Sequence, residues 1–331
     1  MTSRILGRLA AAGLALCLAA CTPAASAPLD TVRRGPVLGA HNDTTTPFNL
    51  VSVPALARAR YDGRDLRLDA VLARELAFTR YAVSYRSAGL RITGVLDVPT
   101  RPGAHPLVVL AHGWWPTEAY TTGSMLGRES ALLAANGFVA LRIDYRNYGG
   151  SSRETAGEPA RPLGYPEDLV NAVRAMRAAR LPFVDTSRVG LFGRSMGGGV
   201  VLDALAARPH LADAAVLYSP VSSSAADDYR RWVAGNPALR ARVAAAYGTP
   251  ATRPRFWSRA SARTYLDRVR IPVQVHHGTA DRTCPVRWSE ATVAALPDAT
   301  LFEYPGEQHG FDRAWPLFMH RAVTFLRANL S

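Results

Sequence analysis

Near the middle of the chain a short apolar run, Val189-Gly190-Leu191-Phe192, enters Gly193-Arg194-Ser195-Met196-Gly197. A helical apolar pattern, Val200-Val201-Leu202-Asp203-Ala204-Leu205, follows at once. Strand, sharp turn and helix with a serine at the apex leave few folding options. The serine must take a strained backbone conformation, and small residues at Gly193 and Gly197 let the turn close. Such a turn lifts the Ser195 hydroxyl clear of a sheet. It also sets the Ser195–Met196 amides at a helix N-terminus, where developing negative charge is favoured. Two phosphate-binding alternatives fail on spacing: no Gly-Lys-Ser/Thr follows, and the glycines do not fit Gly-x-Gly-x-x-Gly.

Length and composition narrow the class further. With 331 residues, 48% of them hydrophobic, the chain can bury one large core. Its formal net charge of +13 invites a nucleic-acid reading, but every basic residue is arginine and no lysine occurs. That bias points to codon composition. No basic run interleaved with stacking aromatics is present, so no nucleic-acid partner is expected. Three cysteines, Cys17, Cys21 and Cys284, make no even disulfide framework, and Cys284 reads as a buried small residue rather than a nucleophile.

Residues 1–21 have the pattern of an export signal. Arg4 and Arg8 precede a short apolar core, Leu9 to Ala20, that ends in Leu18-Ala19-Ala20-Cys21. This ending resembles the lipobox of bacterial lipoproteins, which implies acylation at Cys21, an anchor in a membrane and an extracytoplasmic location. An ordinary cleaved signal, with Ala25-Ser26-Ala27 as its site, is the alternative. Residues 22–75 are expected to be a tether and N-terminal extension, flexible to about Leu50 and unassigned from Pro54 to Glu75.

From residue 76 onward a single domain is expected. Phe78–Arg86 and Leu90–Val98, joined by Ser87-Ala88-Gly89, predict a hairpin. Pro106–Ala111 is an apolar run of the kind buried on both faces. Helical and strand patterns then alternate to Asn329, which predicts an α/β fold with a mostly parallel sheet flanked by helices. About 221–270 interrupts the alternation with helical patterns and aromatic residues, and reads as a helical cap over the site.

A serine nucleophile needs a base, and the base needs an orienting carboxylate. The strand Ile271–His276 leads to Asp281, and the strand Thr300–Tyr304 leads to His309. Ser195, Asp281 and His309 thus follow one another on loops after successive strands, the order of the α/β-hydrolase fold. Asp281 taken alone reads equally well as a turn residue. The backbone N–H groups of Met196 and Trp114 are the expected oxyanion donors, because Gly113 in His112-Gly113-Trp114-Trp115 permits close approach. Trp114 and Trp115 are candidate pocket walls, with core packing as their alternative role, and so are the cap aromatics Trp232, Phe256, Trp257 and Tyr265, unless the cap is a surface excursion unconnected with substrate. His276-His277 near Asp281 lacks the spacing of a metal cluster, so neither metal nor cofactor is expected.

Five motifs occur in order: His112-Gly113; Asp144-Tyr145-Arg146-x-x-Gly149-Gly150-Ser151; Gly193-Arg194-Ser195-Met196-Gly197-Gly198; His277-Gly278-x-x-Asp281; and Tyr304-Pro305-Gly306-x-x-His309-Gly310-Phe311. Together they resemble the catalytic domain of the prolyl oligopeptidase (S9) family and, more distantly, dienelactone hydrolases. The resemblance implies an α/β-hydrolase fold with Ser195, Asp281 and His309 as triad. Large members carry a β-propeller, for which residues 22–75 are too few, and His-Gly-Trp-Trp replaces the His-Gly-Gly common in acylaminoacyl peptidases. The expectation is therefore a lipid-anchored serine hydrolase acting on a small ester or peptide substrate. A carboxylesterase or polyester hydrolase is the same-class alternative. A non-catalytic surface-binding lipoprotein is the alternative of another class.

Overall fold

The computed structural model describes residues 52–154 and 164–331. The signal segment, Cys21 and the tether to residue 51 lie outside the described residues. Nine strands form one sheet in the order β1-β2-β3-β5-β4-β6-β7-β8-β9. β1 (Arg64–Arg74), β2 (Phe78–Ser87), β3 (Leu90–Pro99) and β5 (Val139–Ile143) pair antiparallel in sequence. The rest is parallel: β5, β4 (His105–Ala111), β6 (Val184–Arg194), β7 (Ala214–Tyr218), β8 (Val273–Gly278) and β9 (Ala299–Tyr304).

The boundary expected at residue 76 moves to about residue 53. Val53–Arg58 is a helix, α1, packed by Val53 and Leu56 into the core, and β1 adds an edge strand. The stretch Pro54 to Glu75, unassigned from the sequence, thus packs with the sheet. β2 and β3 form the expected hairpin around Ala88 and Gly89, both at positive φ.

Alternation along the buried strands divides the core between two faces. Leu107, Val109 and Ala111 of β4 point to the side covered by α3 (Gly164–Ala179) and α4 (Met196–Ala207). Val108 and Leu110 point to the other side, covered by α2 (Gly127–Ala135) and α9 (Trp315–Asn329). Both sets are 0% exposed, which is why β4 reads as an unbroken apolar run. No helix among the described residues is long and apolar enough to cross a membrane.

Between β7 and β8 the chain makes the expected helical excursion. It contains α5 (Ala225–Asp228), a π-helical turn (Tyr229–Val233), α6 (Pro237–Tyr247), α7 (Pro254–Arg259) and a 3-10 turn (Ala262–Arg268). Tyr229, Val233, Leu239, Val243 and Trp257 give it a small core of its own. Parallel register aligns the strand ends: Ala111 sits beside Gly193, Arg194 beside Tyr218, Tyr218 beside His276, and Gly278 beside Tyr304. The loops after β4, β6, β8 and β9 therefore leave the sheet at one end. Strand order reverses between β4 and β6, and open α/β sheets bind ligands at such a switch point.

One carboxyl on α4 makes stability depend on pH. Burial pushes Asp203 up to about 7, against roughly 4 in an unfolded chain. The folded state then holds a proton that the unfolded state releases, so stability falls as pH rises from about 4 to about 7. Asp203→Asn removes this cost. Melting temperatures of the two proteins should be close at pH 4, with the variant the more stable at pH 8; an equal difference at both values would contradict the raised pKa of Asp203.

Candidate active site

Ser195 stands where β6 ends and α4 begins, with φ 56° and ψ −120°. Its N–H donates to the Tyr218 carbonyl at 2.9 Å, and its carbonyl accepts from Gly198 N at 2.9 Å and Val221 N at 3.1 Å. The glycines of the motif answer to space. A Cβ on Gly197 would lie 2.0 Å from the Ala111 carbonyl oxygen, and one on Gly193 would lie 2.5 Å from that of Gly197. The nucleophile turn is thereby pressed against the end of β4. Gly113, on the loop after β4, approaches Ser195 so closely that a Cβ there would be 3.2 Å from the serine Cβ.

His309 bridges the two other residues singled out by chain order. Its Nδ1 lies 2.8 Å from Asp281 Oδ2 and its Nε2 lies 2.9 Å from Ser195 Oγ. A carboxylate can only accept, so Nδ1 carries the proton, and the Nε2 lone pair is left to receive the serine hydroxyl. The Asp281 side chain is fully buried, whereas His309 keeps slight exposure toward the site. Burial opposes the charge on Asp281. Hydrogen bonds from His277 and His309, the charge of His309 and the Cys284 amide outweigh it and hold the carboxyl well below the usual range.

A supporting layer beneath Asp281 is not evident in any single motif. Oδ1 accepts from Thr283 N at 2.8 Å and Cys284 N at 2.9 Å. His277 Nε2 faces the Cys284 carbonyl at 2.8 Å and Asp281 Oδ2 at 3.2 Å, both acceptors, so it is the protonated nitrogen. Ser289 Oγ then donates to Nδ1 at 2.6 Å. The pair His277 and Asp281 is thus a hydrogen-bonded support. Cys284 is a free, buried cysteine within hydrogen-bonding reach of Ser195. Burial, followed by the charges of Asp281 and Asp228, pushes its thiol well above the ordinary value, so it stays protonated.

The loop of His112 and Gly113 is held by the Asp144-Tyr145-Arg146 motif. His112, buried among Tyr120, Tyr145 and Tyr148, sets its ring between the carbonyls of Gly113 and Asp144. Tyr145 takes φ 59° and donates its hydroxyl to the His112 carbonyl at 3.3 Å. Asp144 accepts from Thr93 Oγ1, Tyr120 Oη and Gly123 N. Arg146 is clamped between Asp168 and Glu167 of α3, at 2.8 and 2.7 Å. Met196 N–H, at the first turn of α4, has no intrahelical acceptor by helix geometry. Trp114 follows Gly113 directly on the facing loop.

The aromatic candidates separate. Trp257 is 1% exposed inside the cap core against Tyr229, and Phe256 stacks on Tyr247 with centroids 5.4 Å apart. Tyr265 packs into the main core. All three rings make packing contacts, Phe256 half-buried, and Trp257 also borders a cavity lined by Arg230, Pro254, Ser258 and Arg263. Trp232 instead meets Trp288 edge-on at 5.6 Å, and Trp115 is 45% exposed.

Residues 124–330 match the model of the prolyl oligopeptidase family. The chain belongs to that family. It has the α/β-hydrolase fold. Among curated relatives of this family member, the quorum-quenching protein AidA of Acinetobacter baumannii (strain MDR-ZJ06) is 32% identical over 121 residues, 36% of this chain and 37% of that protein. The uncharacterized peptidase YtmA of Bacillus subtilis (strain 168) is 27% identical over 212 residues, 63% of this chain and 76% of the relative. The chain thus spans 37–38% of the length of the first curated relatives it matches. Acetyl xylan esterase 1 from Thermoanaerobacterium sp. JW/SL YS485 shares the fold with a TM-score of 0.63 at 19% identity, over 82% of this chain and 91% of the other. A puromycin-hydrolyzing peptidase of Mycobacterium tuberculosis does so with a TM-score of 0.59 at 19% identity, over 78% of this chain and 40% of the other.

Proposed function

We propose that this family member hydrolyses small esters through Ser195, His309 and Asp281. The observation that carries the reading is His309, placed between an ionised Asp281 and the Ser195 hydroxyl at 2.8 and 2.9 Å. His309 Nε2 takes the hydroxyl proton as Oγ attacks the substrate carbonyl carbon. Asp281 keeps the proton on Nδ1 and stabilises the imidazolium that forms. The tetrahedral oxyanion is received by the N–H groups of Met196 and Trp114, a kind of donor whose loss typically costs about 10²–10³ in turnover. His309 then protonates the leaving oxygen, the acyl group stays on Ser195, and water activated by the same imidazole releases it.

Esters rank ahead of amides on chemical grounds. An alkoxide or phenoxide leaves with little help, so a nucleophile, a base and two oxyanion donors are enough. An amide needs firmer protonation of the leaving nitrogen and groups that hold an extended backbone. Two acetyl xylan esterases are among the proteins that share the fold, which supports this ranking. For p-nitrophenyl acetate against acetyl p-nitroanilide, kcat/KM should favour the ester by orders of magnitude. Ser195→Ala and His309→Ala should each abolish nearly all turnover with an unchanged circular dichroism spectrum. Faster cleavage of the amide would move the peptidase reading to first place, and an active Ser195→Ala enzyme would remove the triad.

We further propose that the enzyme works on the extracytoplasmic side of a membrane, tethered by a lipid on Cys21. The support is the charged start, short apolar core and Leu-Ala-Ala-Cys ending of residues 1–21. Cys21→Ser should shift the protein from the membrane pellet to the soluble fraction and stop incorporation of labelled palmitate; an unchanged pellet fraction would count against the anchor.

A further inference from the structure

The cap meets the loop that carries Asp281 through the π-helical turn Tyr229–Val233, closed by Ala234 N to the Tyr229 carbonyl at 2.9 Å. Helices frequently widen in this way at functional positions. Here the widened turn sets Trp232 against Trp288 and sends Arg231 to the acid loop. Arg231 Nε donates to the Thr283 carbonyl at 3.2 Å, and its Nη2 donates to the Arg282 carbonyl.

The covalent identity of those carbonyls matters. The Arg282 carbonyl belongs to the same peptide unit as the Thr283 N–H, and the Thr283 carbonyl to the same unit as the Cys284 N–H. Those two N–H groups are the donors to Asp281 Oδ1, at 2.8 and 2.9 Å. One guanidinium therefore holds the oxygen ends of two peptides whose hydrogen ends hold one carboxylate. Each peptide is a dipole of about 3.5 D. Cation, dipole and anion stand head to tail, an arrangement in which successive hydrogen bonds polarise and strengthen one another. The other Asp281 oxygen is left to His309 and His277. The titratable groups around the carboxylate are thus His277 on β8, His309 after β9 and Cys284 on its own loop. Arg231 comes from the cap, and Asp228 stands close enough to act on the Cys284 thiol.

We propose that Arg231 is a positioning residue that acts through these two peptides to fix Asp281, so that the seating of the cap sets the orientation of the imidazole on His309. The inference rests on the role given to Asp281 above. It makes the cap part of the catalytic support as well as a cover, because a cap lifted from the acid loop takes its guanidinium with it.

The test is steady-state kinetics on p-nitrophenyl acetate, a substrate small enough to need little from the cap. Arg231→Ala should lower kcat about tenfold, the scale of a charge-assisted hydrogen bond, with KM unchanged within about twofold. Arg231→Lys should recover most of the loss, since an ammonium can donate to both carbonyls. In an Asp281→Ala background, removing Arg231 should cost less than about twofold, because nothing remains for it to act through. Three results would overturn the inference: a raised KM with kcat intact, an equal loss in both backgrounds, or no loss. If Arg231→Ala does not fold, Arg231→Gln keeps one neutral donor and should lose part of kcat; wild-type kcat there would overturn the inference too. An Asp281→Ala enzyme with wild-type turnover would remove the Asp281 reading and this inference with it. A dead Asp281→Ala beside an unaffected Arg231→Ala removes the inference alone.

Discussion

Ser195 holds a positive φ that an L-residue with a side chain rarely adopts, and the neighbouring structure leaves it no alternative. Its amide is fixed to Tyr218 on β7, its carbonyl to the first turn of α4 and to Val221, and Gly197 packs where a methyl group would strike the Ala111 carbonyl. Strain of this kind persists only where surrounding contacts over-determine it. Those contacts are the register of β4, β6 and β7, so the sheet and the nucleophile specify each other. Without the parallel register the turn would relax, and Gly113 would no longer be held against Ser195.

The site then assembles in two supported halves. On one side, Asp144, Tyr145 and Arg146 secure the loop of Gly113 and Trp114 through buried hydroxyls and a clamped guanidinium. On the other, His277, Ser289 and the Thr283 and Cys284 amides fix Asp281, which in turn aims His309. Both halves use buried groups whose hydrogen bonds are met by other protein groups. Such groups are costly to move and so hold reacting atoms in place. The protonated Cys284 thiol within reach of Ser195 adds a neutral neighbour to the site.

Much of this was legible in the sequence because both kinds of signal were local. β4 is buried on both faces and reads as an apolar run; the hairpin declares itself at Ala88-Gly89; the chain order Ser195, Asp281, His309 falls at strand ends. β1 escaped for a physical reason. It is an edge strand, exposed from Arg67 through Leu72, and its pairing with β2 shifts register three times, so the alternation that marks a half-buried strand is erased. Trp257 and Tyr265 read from the sequence as pocket walls but make core contacts, since a sequence gives the size of a ring and not what surrounds it. For Asp281 the turn and the orienting readings proved compatible: Oδ1 organises the turn while Oδ2 faces the imidazole. His277 and Ser289 were invisible as partners because their contact is made only when α8 (Arg287–Val293) folds beside β8.

The central claim is that Ser195 is the atom acylated in turnover. The most direct measurement is to quench the enzyme with acid within the burst phase of p-nitrophenyl acetate hydrolysis, digest it, and locate the acetyl group by mass spectrometry. One acetyl group should appear on the peptide that contains Ser195 and be absent from the His309→Ala enzyme. An acetyl group on Cys284 or any other residue, with Ser195 unmodified throughout turnover, would contradict it.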